Sequence, residues 1–392
     1  MRHTRQLLRW LGVLLLAGHL HTTLAAAATA GHPASWRAIV FPEFLPRTPG
    51  GDTDEVSKAL QGFEKIDELQ KGLESFQRRD YEQTLSLFKT AGQKAPHLPP
   101  ANLMLARLLF ATNQQPQGRV ALEQAAVEQA GYPGVYLSFA SLALTTGRLT
   151  DAFLHLEKAA SLLQGTTWTA EQRSAFQEQM HLGFTTVAEG RRDWEGAKKA
   201  LTAWLELNPK NGQARQRLAR TLLELDNPAA AQEQLQQAVK DDANLDPAPV
   251  ALAWLYTQKG NLPKATELMQ NAVKQAPKDA RVHRGMASWL LQQGKLAEAK
   301  AAAEVAARLE PDAKELRLLR ALIARGLKDY GQAETYFQAL HQETPGDVQV
   351  ANQLALTLVE QTDKLKQGRA VQLAEVNARA NANVPEVLAT LG

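Results

Sequence analysis

NPAAAQEQLQQAV (227–239), NLPKATELMQNAV (261–273) and KLAEAKAAAEVAA (295–307) are one pattern written three times. Each copy places alanine at a fixed point (Ala231, Ala265, Ala299), Leu235, Met269 or Ala303 four positions on, and another alanine three further. Apolar residues three and four apart share one face of a helix, so each copy is half of something that must pack against a partner. Outward from these three, the pattern recurs at DYEQTLSLFKTA (80–91), QPQGRVALEQAA (115–126), RLTDAFLHLEKAA (148–160), DWEGAKKALTAW (193–204), DYGQAETYFQAL (329–340) and QGRAVQLAEVNA (367–378). The small residue falls at Thr84, Gly118, Ala152, Ala197, Ala231, Ala265, Ala299, Ala333 and Ala370. Six of the eight intervals equal 34 residues, the others 45 and 37, and a fixed period of this size marks stacked repeats in place of separate domains.

A second small site precedes each of these, at Gly72, Ala106, Ala140, Ala219, Ala253, Ala287, Ala321 and Ala355. Small residues on both helices let the two approach closely, where leucine would hold them apart. Pro96, Pro209, Pro277, Pro311 and Pro345 stop the second helix and turn the chain into the next unit. These sites, their order and the 34-residue period resemble the tetratricopeptide repeat family across about 340 residues. The resemblance implies an all-α fold: a right-handed α-solenoid of antiparallel helix pairs, with nine repeats and, at Leu391-Gly392, the start of a tenth.

Departures from the period carry their own expectations. Thr84 and Gly118 stand where alanine is usual, and a glycine inside a helix costs about 1 kcal/mol relative to alanine. An insertion at 161–173, SLLQGTTWTAEQR, precedes the fourth unit; Thr169 and Gln172 there fit a capping box, which predicts a loop to Trp168 and a lengthened first helix. Gly183 and Thr185 compete for that helix's small site, because Arg191-Arg192 adds a residue at the turn. The chain stops within a repeat motif, so either it is incomplete or a partial helix caps the stack.

Residues 1–30 form a different kind of segment. Arg2, Arg5 and Arg9 precede an apolar run from Leu11 to Leu20 and a small-residue tail, the layout of a secretory signal cleaved after Ala26, Ala28 or Ala30. An exported protein, periplasmic or extracellular, is the expectation. Those three arginines account for the whole net charge of +3 on 44 basic and 41 acidic residues, and a balanced remainder lacks the clustered cations that bind a phosphate backbone. No nucleic-acid partner is expected. Residues 31–53 carry four prolines and Gly50-Gly51 and read as an extended linker ahead of the repeats at 54–392. Ile39, Val40, Phe41, Phe44 and Leu45 are apolar for a free linker; they either pack on the first helices or dock a partner.

Chemistry is not apparent. The chain has no cysteine, its nine histidines form no HExxH pair, and it contains no GxGxxG, GxxxxGK[ST] or GxSxG. Asp52-Thr53-Asp54 lacks the rest of a cation loop and reads as a helix start. Gln129 to Gly147 is uncharged over 19 residues, yet Gly131, Pro133 and Gly134 and the repeat register make it a turn and a buried first helix in place of a membrane span. No enzyme, metal or cofactor is therefore expected, and no stable membrane span once the signal is removed.

In the family the first helices line a groove that accepts a peptide or a partner helix. The resemblance places Arg107, Phe110, Arg220, Trp254, Arg281, Arg284, Arg325 and Asn352 on that face, with Glu189, Glu224, Glu315 and Glu360 among them. A mixed surface of this kind suits a protein or peptide partner, and arginine and tryptophan are frequent interface anchors. The family's dicarboxylate clamp needs groove asparagines; its principal site holds none here. The expectation is an interaction scaffold for envelope assembly or secretion. Two alternatives are the targeting arm of a larger enzyme extending past Gly392, and a glycan groove with Trp254 and Phe110 as platforms.

Overall fold

The computed structural model describes residues 66–164, 168–311, 313–380 and 390; the signal and linker at 1–53 lie outside the described residues. Eighteen helices are present among the described residues, and no strand. The chain divides into two compact units, one running to Gln234 and the other from Leu235.

The first unit contains four helical hairpins and one further first helix. They are α1 (Asp67–Gln77) with α2 (Tyr81–Lys94), α3 (Ala101–Ala111) with α4 (Gln115–Glu128), α5 (Pro133–Thr145) with α6 (Leu149–Leu163), α7 (Ala170–Arg191) with α8 (Trp194–Leu207), and then α9 (Gly212–Glu224). Helix α10 (Pro228–Asp241) runs across the boundary. In the second unit the hairpins are α11 (Ala248–Gln258) with α12 (Leu262–Gln275), α13 (Ala280–Gln292) with α14 (Leu296–Leu309), α15 (Lys314–Gly326) with α16 (Tyr330–Glu343), and α17 (Val348–Val359) with α18 (Lys364–Ala380). Within each unit every second helix also packs on the first helix that follows it, as α2 does on α3 and α16 on α17. One hairpin cannot bury its own apolar face; neighbours complete it.

Both small sites are core. Ala106, Ala219, Ala253, Ala287 and Ala321 of the first helices are 0% exposed, and so are Ala152, Ala197, Ala231, Ala265, Ala299 and Ala333 of the second. The bulky site is closed as tightly: Leu122, Leu201, Met269 and Phe337 are wholly buried. Truncating one such side chain, as in Phe337→Ala, would cost about 3–5 kcal/mol. The two helical glycines have a steric reason the sequence pattern did not supply. A Cβ on Gly72 would stand 2.6 Å from the Phe88 ring, and one on Gly118 would stand 2.7 Å from the Phe110 ring. The propensity cost is accepted because an aromatic ring occupies the space.

One turn joins the two helices of a hairpin in eight cases. Arg79, Asn113, Gly147, Arg192, Asp226, Gly260, Gly294 and Lys328 all adopt positive φ, each five residues before the second-helix small site. The amide after each left-handed residue donates to the carbonyl five positions back, at 2.8–3.0 Å, from Asp80 to Ser75 through Asp329 to Ala324. This is the Schellman arrangement, which satisfies carbonyls left over at a helix end. The same residue then begins the next helix, and Asp80, Asp193, Asn227, Asn261 and Asp329 cap it with their own side-chain oxygens. Arg192 in this position decides the fourth unit's register: Thr185, 0% exposed, fills the small site, with its hydroxyl donating to His181 O at 2.7 Å. The α17–α18 turn is longer, has no positive-φ residue, and is capped by Asp363, which accepts from Leu365 N.

The insertion lengthens one helix. Helix α7 has 22 residues against 11–13 in the other first helices. Thr169 Oγ1 accepts from Gln172 N at 3.2 Å and Gln172 Oε1 from Thr169 N at 3.1 Å, a complete capping box. Trp168 stacks edge-on against Tyr132 and Phe176, and its indole N–H donates to Leu162 O. This aromatic trio ties the added turns to the third hairpin.

Candidate functional site: the face of the first helices

In the first unit this face is largely engaged with itself. Arg107 of α3 is 3% exposed and donates to Ser138 Oγ of α5 at 3.5 Å. Burial pushes the nearby Tyr132 phenol up to about 12, against the opposing pull of the Arg107 charge. Phe110 is half-buried, its ring laid over Gly118. Glu189 receives two bonds from Arg217 of α9, at 3.1 and 2.9 Å, and Arg217 also donates to Thr186 Oγ1 at 3.0 Å. Arg217 was not singled out in the sequence. Its signal is a register relation: it stands to Thr186 as Ser138 stands to Arg107, each two residues before its own small site. Arg220, one turn further along α9, is exposed and makes no hydrogen bond or ion pair among the described residues. Glu224 is half-buried on the same helix.

The second unit holds the remaining sites. Trp254 is 6% exposed and packs in the core with Val250, Met269 and Trp289, leaving no open indole face to carry a sugar. Arg281 donates from Nε and Nη2 to Asp279, at 3.2 and 2.9 Å, and from Nη1 to Ala243 O at 2.6 Å. Arg284 lies 3.6 Å from Asp246. Two arginines and two aspartates thus fasten the 242–247 connection onto α13. Burial works against the Asp279 charge, but the Arg281 side-chain bond and backbone bonds hold its carboxyl below the usual range. Arg325 donates to Gln353 Oε1 at 2.6 Å; burial pulls its guanidinium down, opposed by Glu360 and Tyr330. Asn352 is 9% exposed, and its Oδ1 has no hydrogen-bond partner among the described residues. Glu315 is half-buried and Glu360 exposed.

The structure therefore brings Arg281 and Arg284 together, and Arg325 beside the α17 residues that flank Asn352. It leaves Arg107, Phe110 and Trp254 separate and inside the packing. Among the described residues no group of three or more His, Asp or Glu could hold a metal ion. No helix among them is long and apolar enough to cross a membrane.

Tetratricopeptide repeat models match residues 75–131, 188–255, 228–289 and 284–348. The chain belongs to the tetratricopeptide repeat family. As a tetratricopeptide repeat protein it is a protein–protein interaction scaffold, and domains of this family bind protein partners. No curated protein matches it. Among solved structures it is similar to a tetratricopeptide repeat protein from Parabacteroides merdae, at 18% identity over 74% of this chain and 97% of that one, TM-score 0.34. It is also similar to PilF of Pseudomonas aeruginosa, at 18% identity over 55% and 97%, TM-score 0.34. A third is YrrB, described as a TPR protein with an unusual peptide-binding site, at 21% identity over 50% and 95%, TM-score 0.31.

Proposed function

We propose that this protein is an exported, non-enzymatic scaffold that holds a protein or peptide partner against its first helices, in cell-envelope assembly or secretion. The observation that carries the site is Arg220. Arg107, Arg217, Arg281, Arg284 and Arg325 all contact groups of their own chain, whereas Arg220 is exposed and makes no such contact among the described residues. An exposed arginine beside an already neutralised Glu189–Arg217 pair offers a planar, charge-assisted donor to a partner carboxylate. Export rests on the basic, apolar and alanine-rich order of residues 1–30.

A photo-crosslinking residue at Gln216, one turn before Arg220, tests the site in the intact cell. A discrete adduct is expected, reduced at least tenfold by Arg220→Glu and kept by Arg220→Lys. An adduct of equal yield in Arg220→Glu removes Arg220 from the site. Amino-terminal sequencing of the secreted fraction tests export: a chain starting at Ala27, Thr29 or Gly31 is expected, and an intact Met1 in every fraction refutes it.

A further inference from the structure

The outward surface of the first unit has an apolar patch that the repeat pattern does not require. Two residues after the second-helix small site, the nine second helices carry Ser86, Val120, Leu154, Lys199, Glu233, Glu267, Ala301, Thr335 and Gln372, every one exposed. Only α4 and α6 place a large apolar side chain there: Val120 is 66% exposed and Leu154 58%. Val127, 78% exposed, extends the patch two turns along α4. These helices occupy consecutive hairpins, so their axes lie roughly 10 Å apart per packed layer.

The chain also contains an apolar run with no partner. Residues 39–45 read IVFPEFL, with one charge. Pro42 and Pro46 hold their neighbours extended. In extended chain, Phe41 and Phe44 stand about 10 Å apart, the spacing of two adjacent helices. Twenty-one residues separate Leu45 from Ile66, where the described residues begin, and they reach up to about 70 Å. The patch lies only one and two hairpins beyond α1. A tethered segment at this range has an effective concentration near millimolar, far above that of a second copy or a free partner.

We propose that residues 39–45 dock across α4 and α6, with Phe41 and Phe44 covering Val120 and Leu154, as a strap over the first unit. This stands apart from the first-helix face, because the residues involved belong to second helices.

The absence of native cysteine makes a direct test possible. Cysteine pairs are introduced into the full chain at Phe44 with Leu154, with Val120, with Ser86 and with Lys199, and oxidised under mild conditions. The expected result is intramolecular cross-linking of Phe44→Cys with Leu154→Cys or Val120→Cys at least tenfold faster than with Lys199→Cys or Ser86→Cys. Ser86 is nearest the tether, so a segment that wanders without docking would favour it. That order of rates overturns the proposal, as do equal rates at all four sites or a cross-linked dimer as the main product. Replacing Phe41 with serine in the Leu154 pair should slow the cross-link severalfold; no change would also count against docking.

Discussion

Lys328→Gly should make the α15–α16 hairpin more stable, although it removes a side chain and adds a glycine. Lys328 has φ 63° and is exposed. A side chain with a Cβ pays about 1–2 kcal/mol to stay left-handed, and glycine pays almost none. Glycine gives back roughly 0.5–1 kcal/mol through a more flexible unfolded chain. The net expectation is a gain of about 0.5–1 kcal/mol. Gly294 supplies the reverse experiment, because it occupies the same place in the α13–α14 turn at φ 73° with nothing within 4 Å of a built Cβ. Gly294→Lys should therefore cost about 1 kcal/mol through backbone conformation alone. Repeat arrays can unfold piecewise, so global melting would blur the effect. Native-state hydrogen exchange at Asp329 N–H, which donates to Ala324 O at 2.9 Å, reads the turn itself. Protection there should rise about two- to fivefold in Lys328→Gly, and protection of Lys295 N–H should fall in Gly294→Lys. If Lys328→Gly lowers protection, or Gly294→Lys leaves it unchanged, the left-handed residue is not what limits the turn.

Gly118→Ala should destabilise by about 1–3 kcal/mol despite alanine's better helix propensity, since the new methyl meets the Phe110 ring; urea unfolding of Gly118→Ala alone and with Phe110→Leu measures it, and the second change should recover most of the loss. Lys295 begins α14 without a side-chain cap, so Lys295→Asp should gain about 1 kcal/mol by hydrogen exchange of that helix's first turn. Glu334 accepts from Lys366 at 2.6 Å and from Gln361 at 2.9 Å; burial opposes its charge, yet these bonds hold its pKa below the usual 4.5. A depressed carboxylate contributes stability that is complete above 4.5 and is lost as pH falls through the folded value. The α17–α18 hairpin should thus loosen on acidification below pH 4.5, and Glu334→Gln should weaken it at pH 7 while flattening that dependence.

The period made the hairpins legible because the small and bulky sites are local properties of each helix. The turn register in the fourth unit was not: Gly183 and Thr185 are both small enough, and only the left-handed backbone at Arg192 separates them. The site was less legible still. A register places Arg281 on the first-helix face, but its commitment to Asp279 and to a carbonyl 38 residues away depends on the path of a connection. Arg107 and Trp254 carry interface-prone side chains, and neighbouring hairpins close over both. Register says which way a residue points from its own helix; exposure is decided by what the next hairpin brings.

The turn residue shared by two helices sets where this chain can change length. Asp80 or Asp329 ends one helix with its amide and starts another with its carboxylate, so an added residue there would break both ends at once. The eleven extra residues of the fourth repeat lie instead between hairpins, where α7 takes them up as additional turns. The one extended turn, between α17 and α18, has lost the left-handed residue and needs Asp363 and the Glu334–Lys366 pair to hold it. A tag, probe or grafted loop should follow the same grammar: between hairpins it lengthens a sentence, and within one it splits a word.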